Sequence, residues 1–310
     1  MKGDLIMSEK KTDINMKKLV LIKYLYTISE EQSHRLGASA SFAILSFHDC
    51  VEMLLVLIAR KKHKSEQDSF LQYWQAVRDL PYKDKMSNLN KVRVSLKHHA
   101  IFPNPDEIAC CREDAKLFLI TCMDRYFNED FDTLSLASLI AYDEVKEMIE
   151  EAEGYINDGS IYDALLKCKL AFITLLTTYE SDKKQWFKSI FDIGEKIDDS
   201  YKSLLANNKE IEPWFKKVTN TTNDIRNTLK IISLGIDYKK YAFFNFLTPH
   251  VQQAGSPLGE VSYIPESKMS FESGKYVKLE DCRFCVDFVV DSAMKLQGLQ
   301  YSIEQCKRTP

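Results

Sequence analysis

The chain has 310 residues, of which 45% are hydrophobic and 28% are charged, and its formal net charge is −3. A protein with this charge is not a general electrostatic binder of nucleic acid, so any such contact must come from a local patch. The length suits one large domain or two of ordinary size. The sequence has only ten glycines and eight prolines, which favours long helices over a sandwich or barrel.

Apolar residues recur at spacings of three and four along nearly the whole chain, which predicts an all-α fold. The predicted helices cover residues 14–34, 38–61, 66–79, 84–100, 105–127, 136–157, 160–180, 182–206, 209–234 and 278–304. The acidic segment 127–132 predicts a connector between two helical bundles, residues 1–130 and 131–310. Region 237–277 breaks the pattern with prolines, glycines and β-prone pieces. We interpret it as a long insertion that contains a small β-hairpin.

No membrane or export segment is expected. The stretch that begins at Met16 starts like a signal peptide, but Lys23 interrupts its apolar run and no cleavage site follows. The most hydrophobic predicted helix carries His48, Asp49 and Glu52 across its middle, which favours a buried helix over a membrane span. We therefore expect a cytoplasmic protein with no membrane partner.

The sequence has eight cysteines. Cys50, Cys122 and Cys168 lie in apolar helical runs, where cysteine behaves as a small hydrophobic residue. Cys282 and Cys285 form a CxxC motif, but a single such motif is weak evidence for zinc, and core packing is the better interpretation. We expect free thiols in a reducing compartment, with no metal and no cofactor.

The sequence contains an internal repeat. Three pairs of segments match in the same order: Asn90–Lys97 with Asn223–Lys230, 43–55 with 164–176, and 111–119 with 282–290. The first pair shares the pattern Asn-x-[Val/Ile]-Arg-x-[Ser/Thr]-Leu-Lys. Three ordered matches predict a duplicated helical unit.

The helix that contains Arg93 ends in two histidines, for which two explanations stay open. Arg93 and Lys97 share a helix face, while His98 and His99 fall in the last turn before Pro103, where the helix dipole favours a cation. Alternatively, histidine transfers protons near neutral pH, and arginine offers fixed donors to a phosphate. Cleavage of RNA without metal needs a proton acceptor, a proton donor and a cation beside the phosphorane.

The segments SFAILSFHDCVEMLL and LNKVRVSLKHHAIFP resemble the HEPN superfamily (higher eukaryotes and prokaryotes nucleotide-binding domains). These helical bundles carry Arg-x(4–6)-His near the end of a helix, a spacing that Arg93 keeps with both His98 and His99. Many members are metal-independent endoribonucleases of toxin–antitoxin and antiviral systems that act as dimers. The resemblance implies two HEPN-like bundles, the second degenerate, with Arg93, His98 and His99 catalytic. It also implies RNA, a second copy of the chain, and an antitoxin or NTPase as partners.

The resemblance further implies that an acidic residue of the preceding helix, Asp49 or Glu52, faces Arg93 or a histidine and belongs to the catalytic set. The second copy has Lys169, Leu170 and Ile173 at the positions aligned with His48, Asp49 and Glu52. The alternative is that the buried polar groups of this helix simply partner one another. The candidate RNA-binding cations are Lys97, Arg226, Lys61 and Lys62.

Neither copy carries the complete family pattern. Val94 follows Arg93 where active members often carry asparagine, and the second copy has Asn227 but isoleucines, Ile231 and Ile232, in place of the histidines. Two hypotheses remain. One is an endoribonuclease that acts through Arg93 and His98, as a homodimer whose axis passes near His98. The other is a non-catalytic scaffold that binds a partner protein or a nucleotide.

Overall fold

The computed structural model describes residues 2–181, 184–185, 188–189, 191–194, 211–255, 261–274 and 276–298. The chain divides into two compact units, Met1–Leu139 and Ile140–Pro310, and its fold is all-α. The predicted boundary at residue 130 differs from the observed one because the acidic connector belongs to unit 1. Lys23 Nζ donates hydrogen bonds to the carbonyls of Asp132 and Leu134, at 3.0 and 2.6 Å.

Unit 1 is a helical bundle around one apolar helix. Its helices are α1 (Lys2–Ser33), α2 (Ala38–Ser41), α3 (Ala43–Lys61), α4 (Tyr73–Ala76), α5 (Lys83–His99) and α6 (Pro105–Phe127), with 3₁₀ turns at Phe70–Gln72 and Ala137–Leu139. Helix α3 packs against α1, α5 and α6, and Ile44, Val51 and Leu54 are fully buried. A helix that is apolar on several faces forms a core in this way.

Among the described residues, Ala38–Lys61 is the one helical stretch long and apolar enough to cross a membrane by length and composition. However, 61% of its apolar 18-residue window is buried inside the protein. Burial to this extent is the pattern of a core helix, because a membrane-spanning helix presents its apolar surface to lipid.

One predicted helix is wrong, and a second is wrong in the part of it that the structure describes. Segment 66–79 forms only the 3₁₀ turn and short α4, because Trp74 is buried and its Nε1 donates to the carbonyl of Pro81 at 2.9 Å, which holds the chain in a bend. Within the predicted helix 182–206, the described residues form two antiparallel strands, β1 (Lys184–Gln185) and β2 (Lys188–Ser189), and irregular chain at 191–194. Its other residues lie outside the described part.

Unit 2 is also mainly helical. Its remaining elements are α7 (Asp143–Asn157), α8 (Ile161–Glu180), α9 (Ile211–Ser233), α10 (Tyr238–Leu247), β3 (Val251–Gly255), β4 (Val261–Pro265), α11 (Lys268–Gly274) and α12 (Leu279–Gln297). Strands β3 and β4 pair antiparallel, which confirms the predicted hairpin. The rest of region 237–277 is not the irregular insertion predicted, because α10 and α11 are helical and Phe244 of α10 is fully buried. Helix α8 packs on α7 and α12. Cys282 and Cys285 of α12 are fully buried, as predicted. The predicted end of this last helix, residues 299–304, lies outside the described residues.

The helix that packs like α5 in unit 2 is α10, although the sequence repeat aligns α5 with α9. In unit 1, His48 of α3 contacts Asn90 of α5. In unit 2, Lys169 of α8 donates a hydrogen bond to Asn245 of α10, and α10 packs on α12 as α5 packs on α6. Among described elements, α9 packs chiefly on α10. The short Asn/Arg/Lys match therefore aligns two helices, α5 and α9, that pack against different neighbours in their units.

Candidate functional site

A polar pocket of about 360 Å³ lies beside the core of unit 1. Helix α3 contributes His48 and Glu52 to its lining, and α5 contributes Asn90 and Arg93. The segment that follows α3 adds Asp68 and the chain up to Leu71. The helical spacing of His48 and Glu52 places both side chains on the face of α3 that meets α5. The fold thus brings Glu52 and Arg93 to one pocket.

His48 is the most buried polar group of this pocket. Its side chain is only 2% exposed, and its ring lies 4.2 Å from the ring of Phe70. Nε2 lies 3.2 Å from Asn90 Oδ1, and because an amide oxygen accepts, Nε2 is the donor in this arrangement. Nδ1 makes no hydrogen bond, and it lies 3.8 Å from both Asp49 Oδ1 and Glu52 Oε2. A buried nitrogen therefore faces two carboxylates.

Arg93 is half-buried at the pocket and forms no hydrogen bond or ion pair with any residue that the structure describes. A guanidinium is permanently charged and carries five N–H donors in a planar fork. The N–H groups of structural arginines usually donate hydrogen bonds to carbonyl or carboxylate oxygens of the protein. The donors of Arg93 remain available to an anion from outside the chain.

His98 and His99 are exposed in the last turn of α5, and neither lines the pocket. Five residues along a helix turn by about 140°, so His98 and Arg93 point in different directions. The helix ends as predicted before Pro103, because Ala100 adopts a left-handed conformation and the N–H of Ile101 donates to the carbonyl of Ser95 at 3.1 Å. The histidine that shares a pocket with Arg93 is therefore His48.

The sequence held a signal for this arrangement. His48 and Glu52 are four residues apart on a helix that is otherwise apolar, and a polar pair on a core helix needs polar partners. Asn90 supplies the partner of His48 from α5. Sequence reasoning placed the acidic residues in the site but assigned the proton-transfer role to His98 and His99, since the spacing from Arg93 along α5 pointed there.

The other predicted cations lie outside the pocket. Lys61 Nζ sits 5.0 Å from the ring centroid of Phe127. Lys62 Nζ lies 3.2 Å from Asp79 Oδ2. Although burial acts to raise it, the pKa of Asp79 is lowered, because Lys62 donates a hydrogen bond to its carboxylate. Lys97 is exposed, with no ion pair to a described residue.

Arg226 is engaged within unit 2. Its Nε donates to the carbonyl of Ile193 at 2.6 Å, and a terminal nitrogen donates to the carbonyl of Gly194 at 3.1 Å. These bonds tie α9 to the chain at residues 193–194. The guanidinium that the repeat aligned with Arg93 thus has a structural role.

No family model matches the chain, and neither a curated protein nor a solved structure matches it. Support for a function therefore comes from the pocket itself and from the resemblance of the Arg93 segment. The pocket combines the Arg93 guanidinium, which has no partner among the described residues, with a buried imidazole and acidic oxygens.

Proposed function

We propose that the chain is a HEPN-like, metal-independent endoribonuclease of a bacterial defence or toxin system, in which Arg93 binds the scissile phosphate. The observation that carries this proposal is the half-buried Arg93 guanidinium, which lines the pocket without a partner among the described residues. Cations arranged in advance around a phosphate stabilise the charge that develops in the transition state. We place this activity in the cytoplasm, where the seven described free cysteines would stay reduced.

In this proposal His98 and His99 transfer the protons, and a second copy of the chain is required. Because they lie outside the Arg93 pocket of their own chain, they meet a bound phosphate only in a cleft that two copies form. Glu52 lines the Arg93 pocket and Asp49 lies beside the ring of His48. Lys97, Lys61 and Lys62 contact RNA phosphates farther away. Arg226 is left out, since its guanidinium already binds the backbone carbonyls of Ile193 and Gly194.

Exposed apolar side chains next to the histidines support self-association through this end of α5. Ile101 and Phe102 are 60% and 54% exposed, and Leu36 and Phe42 are 95% and 46% exposed. The ring centroids of Phe42 and Phe102 are 6.5 Å apart, so these two side chains form one continuous apolar patch. Patches of this kind mark interaction surfaces in soluble proteins.

Cleavage of mixed transfer RNA by pure full-length protein in EDTA tests the proposal. Arg93→Ala and His98→Ala should each lower the rate, by about 10²- to 10³-fold for the arginine. Lys91→Ala is the matched control, because Lys91 is an exposed cation of the same helix and should matter little. Variants that cleave like the wild type would point to a contaminating nuclease and sink the assignment.

A non-catalytic scaffold is the second candidate, favoured by the separation of His98 from the Arg93 pocket and by Val94. A scaffold of this kind would leave RNA intact. It would use Arg93 to bind a nucleotide or a partner protein, such as an antitoxin or an NTPase. Light scattering separates the two, since the ribonuclease must be a homodimer at micromolar concentration and the scaffold has no such need. A strict monomer that binds nucleotide and loses that binding in Arg93→Ala would favour the scaffold.

A further inference from the structure

We infer that His48, Asp49 and Glu52 form a binding site for a divalent cation on α3. The inference goes beyond the proposed function, which uses no metal. It also departs from the sequence, which predicts no metal and offers only the cysteines of the CxxC motif as candidate ligands.

The ligand atoms are already grouped at the right scale. One nitrogen of His48 and one oxygen from each carboxylate lie within 4.8 Å of one another, and Nδ1 is 3.8 Å from the oxygen of each acid. Atoms bound to one ion at about 2.0–2.2 Å are separated by roughly 3–4.4 Å. The acids are 59% and 44% exposed, so small rotamer changes can close the remaining gap.

The buried His48 supplies independent evidence that a cation belongs at this place. Because Nε2 donates to Asn90 Oδ1, the neutral ring turns the lone pair of Nδ1 towards the two carboxylates. A buried lone pair that faces two anions is unfavourable unless a positive charge lies between them. Metal-bound histidines usually donate their second N–H to a fixed oxygen, and Asn90 provides that oxygen here.

The donor set indicates which ions fit. One imidazole nitrogen with two carboxylate oxygens suits ions that accept mixed nitrogen and oxygen ligands, such as Zn²⁺ or the harder Mn²⁺, rather than soft ions that prefer thiolates. Arg93 in the same pocket opposes a cation. Its single charge is outnumbered, however, by the carboxylates of Asp49, Glu52 and Asp68.

The first test measures Mn²⁺ binding to full-length protein that has been stripped with EDTA and exchanged into metal-free buffer, with no RNA present. The electron paramagnetic resonance signal of free Mn²⁺ reports how much ion is bound. We expect a single saturable site, and Glu52→Gln and Asp49→Asn should each weaken it by at least about tenfold. Asp124→Asn, which removes an exposed carboxylate of α6, is the matched control and should bind like the wild type.

A second measurement keeps the inference testable if a variant folds poorly. Addition of Zn²⁺ to ¹⁵N-labelled wild-type protein should shift the Nδ1 resonance of His48 while its Nε2 keeps the proton. Lack of saturable Mn²⁺ binding, or equal binding by Glu52→Gln, would overturn the inference. Cleavage in EDTA is unaffected by either result, so this site and the proposed activity can fail separately.

Discussion

The aligned arginines of the two units have opposite surroundings. Arg93 of unit 1 lines a pocket and has no partner among the described residues, whereas Arg226 of unit 2 donates to two backbone carbonyls. The aligned lysines differ in the same way, since Lys97 is exposed and Lys230 binds the buried carboxylate of Glu180 at 2.7 Å. In unit 2 the two cations of the motif bind oxygens of the protein, whereas in unit 1 neither cation has a partner among the described residues.

The difference shows that a short motif does not define a site by itself. Arginine and lysine at the same spacing bind oxygens of the protein in unit 2 and have no described partner in unit 1. The segments that pack around each helix determine the difference. The places of the helices differ too, because α5 packs on α3 and α6 while α9 packs chiefly on α10 among described elements. Substitutions at aligned positions should therefore have unequal effects.

The largest expected difference concerns the lysines. Lys230→Met should lower the free energy of unfolding by about 3–5 kcal/mol, because it leaves the buried Glu180 carboxylate without its cation. Lys97→Met should change it by less than about 0.5 kcal/mol. Urea unfolding followed by circular dichroism measures both. Similar losses for the two variants would contradict the contrast drawn between the units.

The arginines should separate stability from activity. Arg226→Ala removes two hydrogen bonds to carbonyls and should cost about 1–2 kcal/mol of unfolding free energy, while RNA cleavage by the refolded protein is unchanged. Arg93→Ala should leave stability within about 0.5 kcal/mol of the wild type and lose cleavage. Unfolding and cleavage assays on the same preparations provide the comparison. An Arg93→Ala protein that is unstable but active would reverse the roles.

The helix caps of the two units should differ in their dependence on pH. Asp237 begins α10, and backbone N–H donation from Lys240 and Lys239 lowers its pKa below the ordinary value of 3.8. A lowered carboxyl pKa means that the stabilisation is complete above 3.8 and is lost as the pH falls through the folded-state value. Asp237→Ala should cost about 1 kcal/mol at neutral pH, and less in acid.

Asn104 at the start of α6 is the matched control for that experiment. Its side-chain oxygen accepts from the N–H of Glu107 at 2.9 Å, and an amide does not titrate. Asn104→Ala should therefore cost about 1 kcal/mol with little change in acid. Unfolding midpoints at about pH 6 and about pH 3 give the comparison. A cost for Asp237→Ala that stays constant with pH would rule out the carboxylate as the cap.

The smallest expected effects lie where α5 and α9 end. Ala100 after α5 and Gly235 after α9 are both left-handed, with φ of 54° and 73°. Gly235→Ala should cost about 1 kcal/mol, because alanine is strained at this positive φ. No steric clash adds to this cost, since no atom lies within 4 Å of the new Cβ. Ala100→Gly should stabilise by roughly 0.5 kcal/mol, because relief of strain is partly offset by unfolded-chain entropy. Thermal unfolding measures both changes, and a destabilised Ala100→Gly protein would show that Ala100 is unstrained.

Local chemistry determined the long helices from the sequence alone. Helix α6 covers the range 105–127 that apolar periodicity predicts, and Asn104, Pro105 and Glu107 form its start from adjacent residues. The hairpin of β3 and β4 was likewise visible in its turn residues and β-prone pieces. The failure at 66–79 shows the limit of this signal, since the burial of Trp74 overrides helical periodicity there.

Only the tertiary structure decided which polar side chains meet. The chain separates His48 and Asn90 by 42 residues, and the packing of α3 on α5 brings them within 3.2 Å. Spacing along α5 associated Arg93 with His98, but the fold gives Arg93 a pocket with His48 and Glu52 instead. The physical reason is that helix caps and periodicity act over a few residues of one segment, while the partners of a buried charge come from whichever helix packs against it.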